Sequence, residues 1–511
     1  MAFPVFDIPA RRAELNPGRA AIEDLVSGDR VTYAELDQRV GKSAALLSAV
    51  GVTPGDRVAL LCRNRIEFFE LLFACARIGS ILVPLNWRMP AAELAKLVDD
   101  CGARLLLHGG EDAVAAGALA TRNAGPHLAL LALDEPEDDG YRARRDRLAP
   151  VPGRGVWPAE EPWYLLYTSG TTGLPKAVIQ TYGMALANYV NISQGMGLRG
   201  DDTTLCFLPL FHAGGISLTA LPALIMGATV LVTPGFDPDV TVDLLEHGRL
   251  DTFFGVPAVY QAISLHARFG DIDFARVRCW GCGGAPMPDR LFSTYAERGA
   301  TILNGMGMTE TGPTVFLMDA ENAQRKIGSV GKPQLLASVR IVGPNGQDVA
   351  RGESGELWFA GLGVTPGYYN RPEANAETIV EGGWLRSGDL GRQDDDGYYY
   401  IVGRLKDMYI SGGENVYPAE VENQLAAHPH VLEAAVIGEP DQQWGEVGCA
   451  YLHLRPGPEV PSAQELETFL RARLAAYKLP KFYICVDDFP RTAAGKIQKH
   501  LLPPRNEARS L

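Results

Sequence analysis

The 511-residue chain has no run of about 18 apolar residues free of charge, which is the length a helix needs to cross a bilayer. Its best approach, FFELLFACARIGSILVPL from Phe68 to Leu85, is broken by Glu70 and Arg77. The N-terminus, MAFPVFDIPARRAEL, lacks the basic-then-apolar order of a secretory leader, and the closing Arg509-Ser510-Leu511 is not the S-K-L address. A membrane span is therefore not expected, and the expected compartment is the cytoplasm. Dense cysteine spacing is missing too: eight cysteines are scattered along the chain, which reads as reduced core thiols and not as a disulfide framework. Cys279 and Cys282 form a C-x-x-C, but no second pair or histidine cluster completes a zinc site, and Trp280-Gly281 between them reads as part of a glycine-rich loop. Internal repeats and low-complexity tracts are absent. So is a basic surplus, since the net charge of −14 opposes nonspecific binding to nucleic acid or anionic membranes. Any anionic substrate must be met by a few locally placed cations.

What is present is a globular composition, 46% hydrophobic and 21% charged, with length for roughly three domain-sized units. Over the first 150 residues, amphipathic helix patterns alternate with short apolar runs (RVALLC, SILVPL, ARLLLHG), a pattern of α/β layering. Thr32, with Glu35 three residues on, predicts a capping box for the next helix. That helix carries Gly41-Lys42-Ser43, yet Leu36 stands where a Walker loop requires glycine, so a nucleotide-binding loop is excluded there. Residues Asp134 to Pro162, rich in proline, glycine and charge, read as an exposed connection. From Trp163 to about Val402, strand-like runs (WYLLYT, AVIQTY, ATVLVT, DTFFGV, ELWFAG) alternate with helical patterns. The tail, with VLEAAVIGE and CAYLHLR between amphipathic helices, is long enough for a small domain.

The strongest local feature is Thr168-Ser169-Gly170-Thr171-Thr172-Gly173-Leu174-Pro175-Lys176, between the strands WYLLYT and AVIQTY. Hydroxyls and glycine amides in one loop can surround an oligophosphate, and Lys176 adds positive charge. A strand follows the loop, so the helix-terminus device of a Walker loop is unavailable. The plain alternative is a flexible hairpin turn.

This segment resembles the phosphate-binding signature of the adenylate-forming superfamily, which comprises acyl-CoA synthetases, luciferases and peptide-synthetase adenylation domains. Further matches follow in that family's order: Leu208-Pro209-Leu210-Phe211-His212, Gly283-Gly284-Ala285-Pro286, Gly307-Met308-Thr309-Glu310, Gly355-Glu356, Pro366-Gly367-Tyr368, Ser387-Gly388-Asp389-Leu390, Gly403-Arg404-Leu405-Lys406-Asp407, and the segment from Pro490 to Ile497. They span most of the chain. The resemblance implies a layered α/β large domain over 1–403, including a β-barrel-like part, and a small mobile α+β domain over 404–511. It also implies ATP, Mg²⁺ and coenzyme A as ligands, and an AMP-forming acyl-CoA ligase that passes through an acyl-adenylate. A homodimer is left open.

The family roles carry over residue by residue. Thr168 and Glu310 are implied as Mg²⁺ ligands, with Thr309 near the α-phosphate. Gly284, Ala285, Gly305, Gly307 and Met308 border the nucleotide, Asp389 receives the ribose hydroxyls, and Arg404 supports ribose and phosphate. Met306 stands where many relatives have an aromatic residue on the adenine, and a thioether gives softer contact. Lys496, which in isolation would be a solvated lysine, is implied as the cation bridging carboxylate and α-phosphate. His212 is implied at the junction of acyl pocket and CoA tunnel. Phe253, Val256, Pro257 and Tyr260 are expected to line the acyl pocket, with Gly214, Gly281 and Gly305 leaving it roomy. Ser411, Gly412, Gly413, Glu414 and Trp444 resemble the CoA-facing segment, and Lys406 holds the hinge position. A roomy apolar pocket points to a fatty, cinnamic or other aryl acid. Competing readings are a stand-alone adenylation enzyme loading a carrier protein, a luciferase-like oxygenase, and a silent binding protein of the same fold.

Overall fold

The computed structural model describes residues 4–121, 128–134, 139–168, 175–457, 460–492, 495–507 and 509–511. Two parallel-rich sheets share a layer of helices. The first runs Lys176–Thr181, Pro162–Thr168, Ile81–Pro84, Arg57–Leu61, Leu105–His108, Ala129–Ala132, antiparallel only between the first two strands. The second has nine strands, and those from Ile302–Met306 through Cys279–Cys282, Thr252–Gly255, Thr203–Cys206 and Thr229–Val232 to Ala20–Asp24 pair in parallel. Helices Ile66–Ile78 and Tyr182–Met196 lie between the sheets and touch both, and helix Tyr33–Ala49 packs on the second sheet and along Ile66–Ile78. Helices outside each sheet complete five layers. The inner strands, such as Arg57–Leu61, Ile81–Pro84 and Leu105–His108, are buried on both faces and read as apolar runs, as parallel strands commonly do. The capping box forms: the Thr32 side chain accepts from the Glu35 amide, while Glu35 accepts from the Thr32 amide.

The barrel-like part is a five-stranded antiparallel sheet between Ala337 and Arg404 with its own core around Phe316, Leu357 and Phe359. After a turn at Leu405–Asp407, the C-terminal residues form a six-stranded sheet with helices Pro418–Ala426 and Ala463–Arg471. This is the α/β architecture expected, with a smaller α+β part at the end.

Two readings need correction. The stretch from Asp134 to Pro162 is not simply an exposed connection. It contains helix Tyr141–Asp146 and strand Val156–Pro158, and Tyr141, Arg145 and Trp157 are buried. The cause is Glu70, fully buried on helix Ile66–Ile78, whose carboxylate takes a hydrogen bond from the Tyr141 hydroxyl at 2.8 Å and an ion pair from Arg145 at 2.6 Å. A buried charge without such partners would cost several kcal/mol, about 3–5. Arg77, the other interruption of the apolar run, is likewise buried against Asp7 and Asp37. The second correction concerns Cys279 and Cys282. They belong to a fully buried strand and not to a loop, burial pushes both thiols up, and no cluster of three metal-ligating side chains occurs among the described residues. No helix among them is long and apolar enough to cross a membrane.

Candidate active site

The functional side chains gather where the parallel strands of the large sheet end and the C-terminal part folds back. Strand Ile302–Met306 leads into a tight turn, Thr309–Thr311, that presents Thr309 and Glu310. The turn closes on itself: the Met308 amide donates to the Thr311 hydroxyl at 3.0 Å, and the Thr311 amide donates to the Met308 carbonyl at 3.1 Å. Gln180 holds it from outside, its amide donating to the Thr309 carbonyl at 2.8 Å. The Tyr368 hydroxyl donates to Glu310 Oε1 at 2.9 Å, and Lys176 Nζ lies 5.0 Å from the centre of that tyrosine ring. Pro366-Gly367-Tyr368 pairs with the strand Lys176–Thr181, which explains why these motifs, distant in sequence, occur together.

Burial is the main force on Glu310 and pushes its carboxyl up; the Tyr368 hydrogen bond, Lys496 and Arg404 oppose it. Asp389 is treated the same way, raised by burial against Arg404 and Lys496. Adjacent strands set Asp389 directly opposite Arg404, whose Nε donates to Asp389 Oδ1 at 3.1 Å. Glu356 supports that loop by accepting from the Gly388 amide at 3.1 Å and from the Trp358 indole at 2.9 Å. Lys496 retains an exposed face, yet it stands within the cleft, close enough to Arg404, Asp389, Glu310 and His212 for their charges to act on one another. Desolvation first, then Arg404, lowers its ammonium pKa.

Lys496 is carried by a self-bonded hairpin. The Thr492 amide donates to the Lys496 carbonyl at 2.7 Å, the Lys496 amide donates to the Thr492 hydroxyl at 3.1 Å, and the Gln498 amide donates to the Pro490 carbonyl at 2.7 Å. His212 is enclosed beside Phe211, and its Nε2 has no hydrogen-bond partner among the described residues. Burial, with Lys496 and Arg88 nearby, brings its pKa down to about 4, so the imidazole is neutral at physiological pH.

Thr168 ends the strand Pro162–Thr168, its hydroxyl donating to the Lys176 carbonyl at 3.4 Å. Ser169, Gly170, Thr171, Thr172 and Gly173 lie outside the described residues. One carboxylate and one hydroxyl fit Mg²⁺, which takes one or two protein oxygens and completes its octahedron with substrate phosphates and water. Raised by burial, Glu310 is also a carboxyl that a divalent cation would return to its charged form. Gly284 adopts φ +86°, the left-handed region that glycine tolerates, with the Val256 side chain 3.4 Å from where its Cβ would be. Ala285 follows it in the same turn. Met306 packs on the small core of the antiparallel sheet with Met308. Ser411, Gly412, Gly413 and Glu414 make a hairpin tip capped by Trp444, whose ring is 2.9 Å from where a Gly412 Cβ would lie. Lys406 is exposed in the turn between the two parts.

The expected acyl pocket needs correction. Phe253 does not share a face with Gly281, and Tyr260 meets Gly281 only through its hydroxyl, which donates to the Gly281 carbonyl at 2.7 Å. Alternation along the strand puts Phe253 on the opposite face, where it packs with Phe207, Tyr260 and Trp280 in an aromatic core. Gly281 and Gly305 do not leave open room either, because Phe254 and Leu317 fill the space beside them. Phe254, Tyr368, Gln180 and Glu356 received no role from the sequence. Tyr368 stood inside a quoted motif, and its hydroxyl was the available signal.

Because burial raises the Glu310 carboxyl above its unfolded value, its contribution to stability is favourable while protonated and is lost as pH rises through the folded pKa. Glu310→Gln, which keeps an acceptor for Tyr368, is therefore expected to melt roughly 1–3 °C higher than wild type at pH 8 without nucleotide or magnesium. The difference should vanish near pH 4. A variant melting lower than wild type at pH 8 would refute this electrostatic account.

The feruloyl-CoA synthase of an Amycolatopsis species is 43% identical to this chain, covering 96% of each. The indoleacetate–CoA ligase of Aromatoleum aromaticum is 38% identical over 96% of this chain and 95% of its own. The o-succinylbenzoate CoA synthetase (MenE) of Bacillus subtilis, solved with its acyl-adenylate intermediate, superposes with a TM-score of 0.86 at 31% identity, covering 98% of both chains. The same enzyme solved with ATP and a magnesium ion covers 98% of this chain and 100% of its own, again with a TM-score of 0.86 and 31% identity. Models of the AMP-binding enzyme and of its C-terminal domain match residues 9–369 and 420–496. Matched over most of its length by both models, the chain belongs to the AMP-binding enzyme family.

Proposed function

We propose that this protein is an ATP-dependent, AMP-forming acyl-CoA ligase whose acid is aryl or cinnamic in type. One observation carries the proposal: Lys496, from the end of the chain, reaches a cleft where Glu310, Asp389, Arg404 and the neutral His212 converge. The feruloyl-CoA and indoleacetate relatives support an aryl acid over a fatty one.

A carboxylate approaching the α-phosphate meets like charge, worth roughly 4 kcal/mol of repulsion at about 4 Å and an effective dielectric of about 20. Lys496 and Arg404 offset it. Thr168 and Glu310 would hold Mg²⁺, which neutralises phosphate charge when bound. Thr309 borders the α-phosphate, Asp389 accepts from the ribose hydroxyls, and Gly284, Ala285 and Met306 border the adenine. The carboxylate oxygen bonds to the α-phosphorus, and pyrophosphate leaves. In the second step the CoA thiol attacks the acyl carbon of the mixed anhydride and AMP leaves with the bonding electrons. The thiol proton passes to solvent, and His212, uncharged, borders the junction of acyl pocket and CoA tunnel.

The two steps need different surroundings, so we assign 1–403 and 404–511 as bodies that rotate about Lys406. Rotation withdraws Lys496 and brings Ser411 to Glu414 and Trp444 toward the cleft. Lys406→Pro fixes φ near −65°; it is expected to spare pyrophosphate release and slow thioester formation at least tenfold. Unchanged overall turnover would remove the hinge. The proposal as a whole is tested by AMP and pyrophosphate release over a panel of acids, with and without CoA. If aryl acids give no AMP, it fails; if AMP forms but CoA accepts no acyl group, the carrier-loading alternative takes its place.

A further inference from the structure

The corrected pocket contains a partition. In the parallel register Phe254 lies beside Gly281, and Gly281 beside Leu303, all on the sheet face covered by helix Tyr182–Met196. Where Gly281 would carry a Cβ, the Phe254 ring edge Cε2 is 2.9 Å away and the Met196 methyl 3.2 Å away. The tip of the same ring, Cζ, is 3.3 Å from the corresponding position of Gly283. One aromatic ring, backed by one thioether, thus occupies the space left by Gly281 in the strand and Gly283 just past its end.

Behind this wall is a small void bounded by the same two side chains together with Leu218, Thr219, Thr204 and Thr252. Thr204 and Thr252 stand near the beginnings of their strands. His212 and the Gly283-Gly284 turn lie past the ends of the same parallel set. The ring therefore separates the reactive edge of the sheet from a space at its far edge. An acid that enters beside His212 and passes the Gly283-Gly284 turn meets the tip of Phe254 before it reaches the void.

We propose that Phe254, backed by Met196, is the stop that sets the greatest length of the acid, admitting a single aryl-propenoic unit and rejecting long alkyl chains. The inference rests on the ligase reading for the direction from which the acid enters. A flat ring needs little depth and packs well against another aromatic edge. An alkyl chain gains affinity only by burying successive methylenes, each worth about fourfold, and the wall denies it that depth.

The test uses the full-length protein and the variants Phe254→Ala, Phe254→Leu and Met196→Ala, with folding checked by thermal melting. Cis-parinaric acid, a fluorescent long-chain probe, is titrated without nucleotide, and AMP release is compared for ferulate and dodecanoate. Phe254→Ala is expected to bind the probe at least 10-fold more tightly than wild type and to raise the dodecanoate-to-ferulate ratio of kcat/KM at least 10-fold. Phe254→Leu and Met196→Ala should move both readouts the same way by smaller amounts, and they decide the matter if the alanine variant does not fold. Unchanged probe affinity in all folded variants, or a wild-type enzyme that uses dodecanoate as well as ferulate, would overturn the proposal. If wild type makes AMP from no acid, the ligase reading fails, while the probe titration still decides whether Phe254 closes the space.

Discussion

Lys496→Ala is expected to lower the rate of acyl-adenylate formation by on the order of 10²- to 10³-fold. The same variant should convert supplied acyl-adenylate to thioester at close to the wild-type rate. The asymmetry follows from where the charge is needed. In the first step two anions are brought together at phosphorus, and the ammonium group stands among Arg404, Asp389 and Glu310, where burial has already lowered its pKa. In the second step the nucleophile attacks carbon and the α-phosphate charge is leaving, so a cation bridging both groups has lost its task. Pyrophosphate exchange measures the first half-reaction, and thioester formation from synthetic adenylate measures the second. Equal losses in both would mean that Lys496 acts by holding the fold and not by stabilising charge.

Gly307→Ala is expected to reduce kcat/KM for ATP by at least about 10²-fold while most of the protein stays folded. A Cβ at Gly307 would overlap the carbonyl of Pro313 and come within 3.0 Å of the Thr314 amide nitrogen. Both obstacles are backbone, so no rotamer change relieves them. The chain must yield between Met306 and Val315, whose amide donates to the Met306 carbonyl at 3.1 Å and closes the segment that presents Thr309 and Glu310. A misplacement of about 1 Å in a positioning element costs roughly 10²-fold. Activity within about threefold of wild type would show that this close approach is dispensable.

Much of this arrangement is legible in the sequence. The apolar runs RVALLC, SILVPL, ARLLLHG and ATVLVT all fall on strands, because a strand buried on both faces needs an unbroken apolar stretch and little else satisfies that need. The same property hides Phe254. In DTFFGV both phenylalanines are buried, so neither hydrophobicity nor alternation tells which one faces Gly281; strand register decides. Glu70 and Arg77 are visible as interruptions of an apolar run, but the partners named above are 40 to 75 residues away in sequence, beyond the reach of any local pattern. The motifs place Lys496 near Glu310 only through the family resemblance, since the hairpin that carries it has no signature of its own.

That hairpin has a consequence for the cost of each catalytic cycle. Its ties, Thr492 to Lys496 and Gln498 to Pro490, are internal, and its base is anchored by the Arg491–Glu433 ion pair, all within the C-terminal part. In the proposed rotation the lysine would therefore travel with its hairpin like a stylus on an arm. The ties named here would persist between strokes, and the torsional work of that rotation would fall on the few residues of the turn after Arg404.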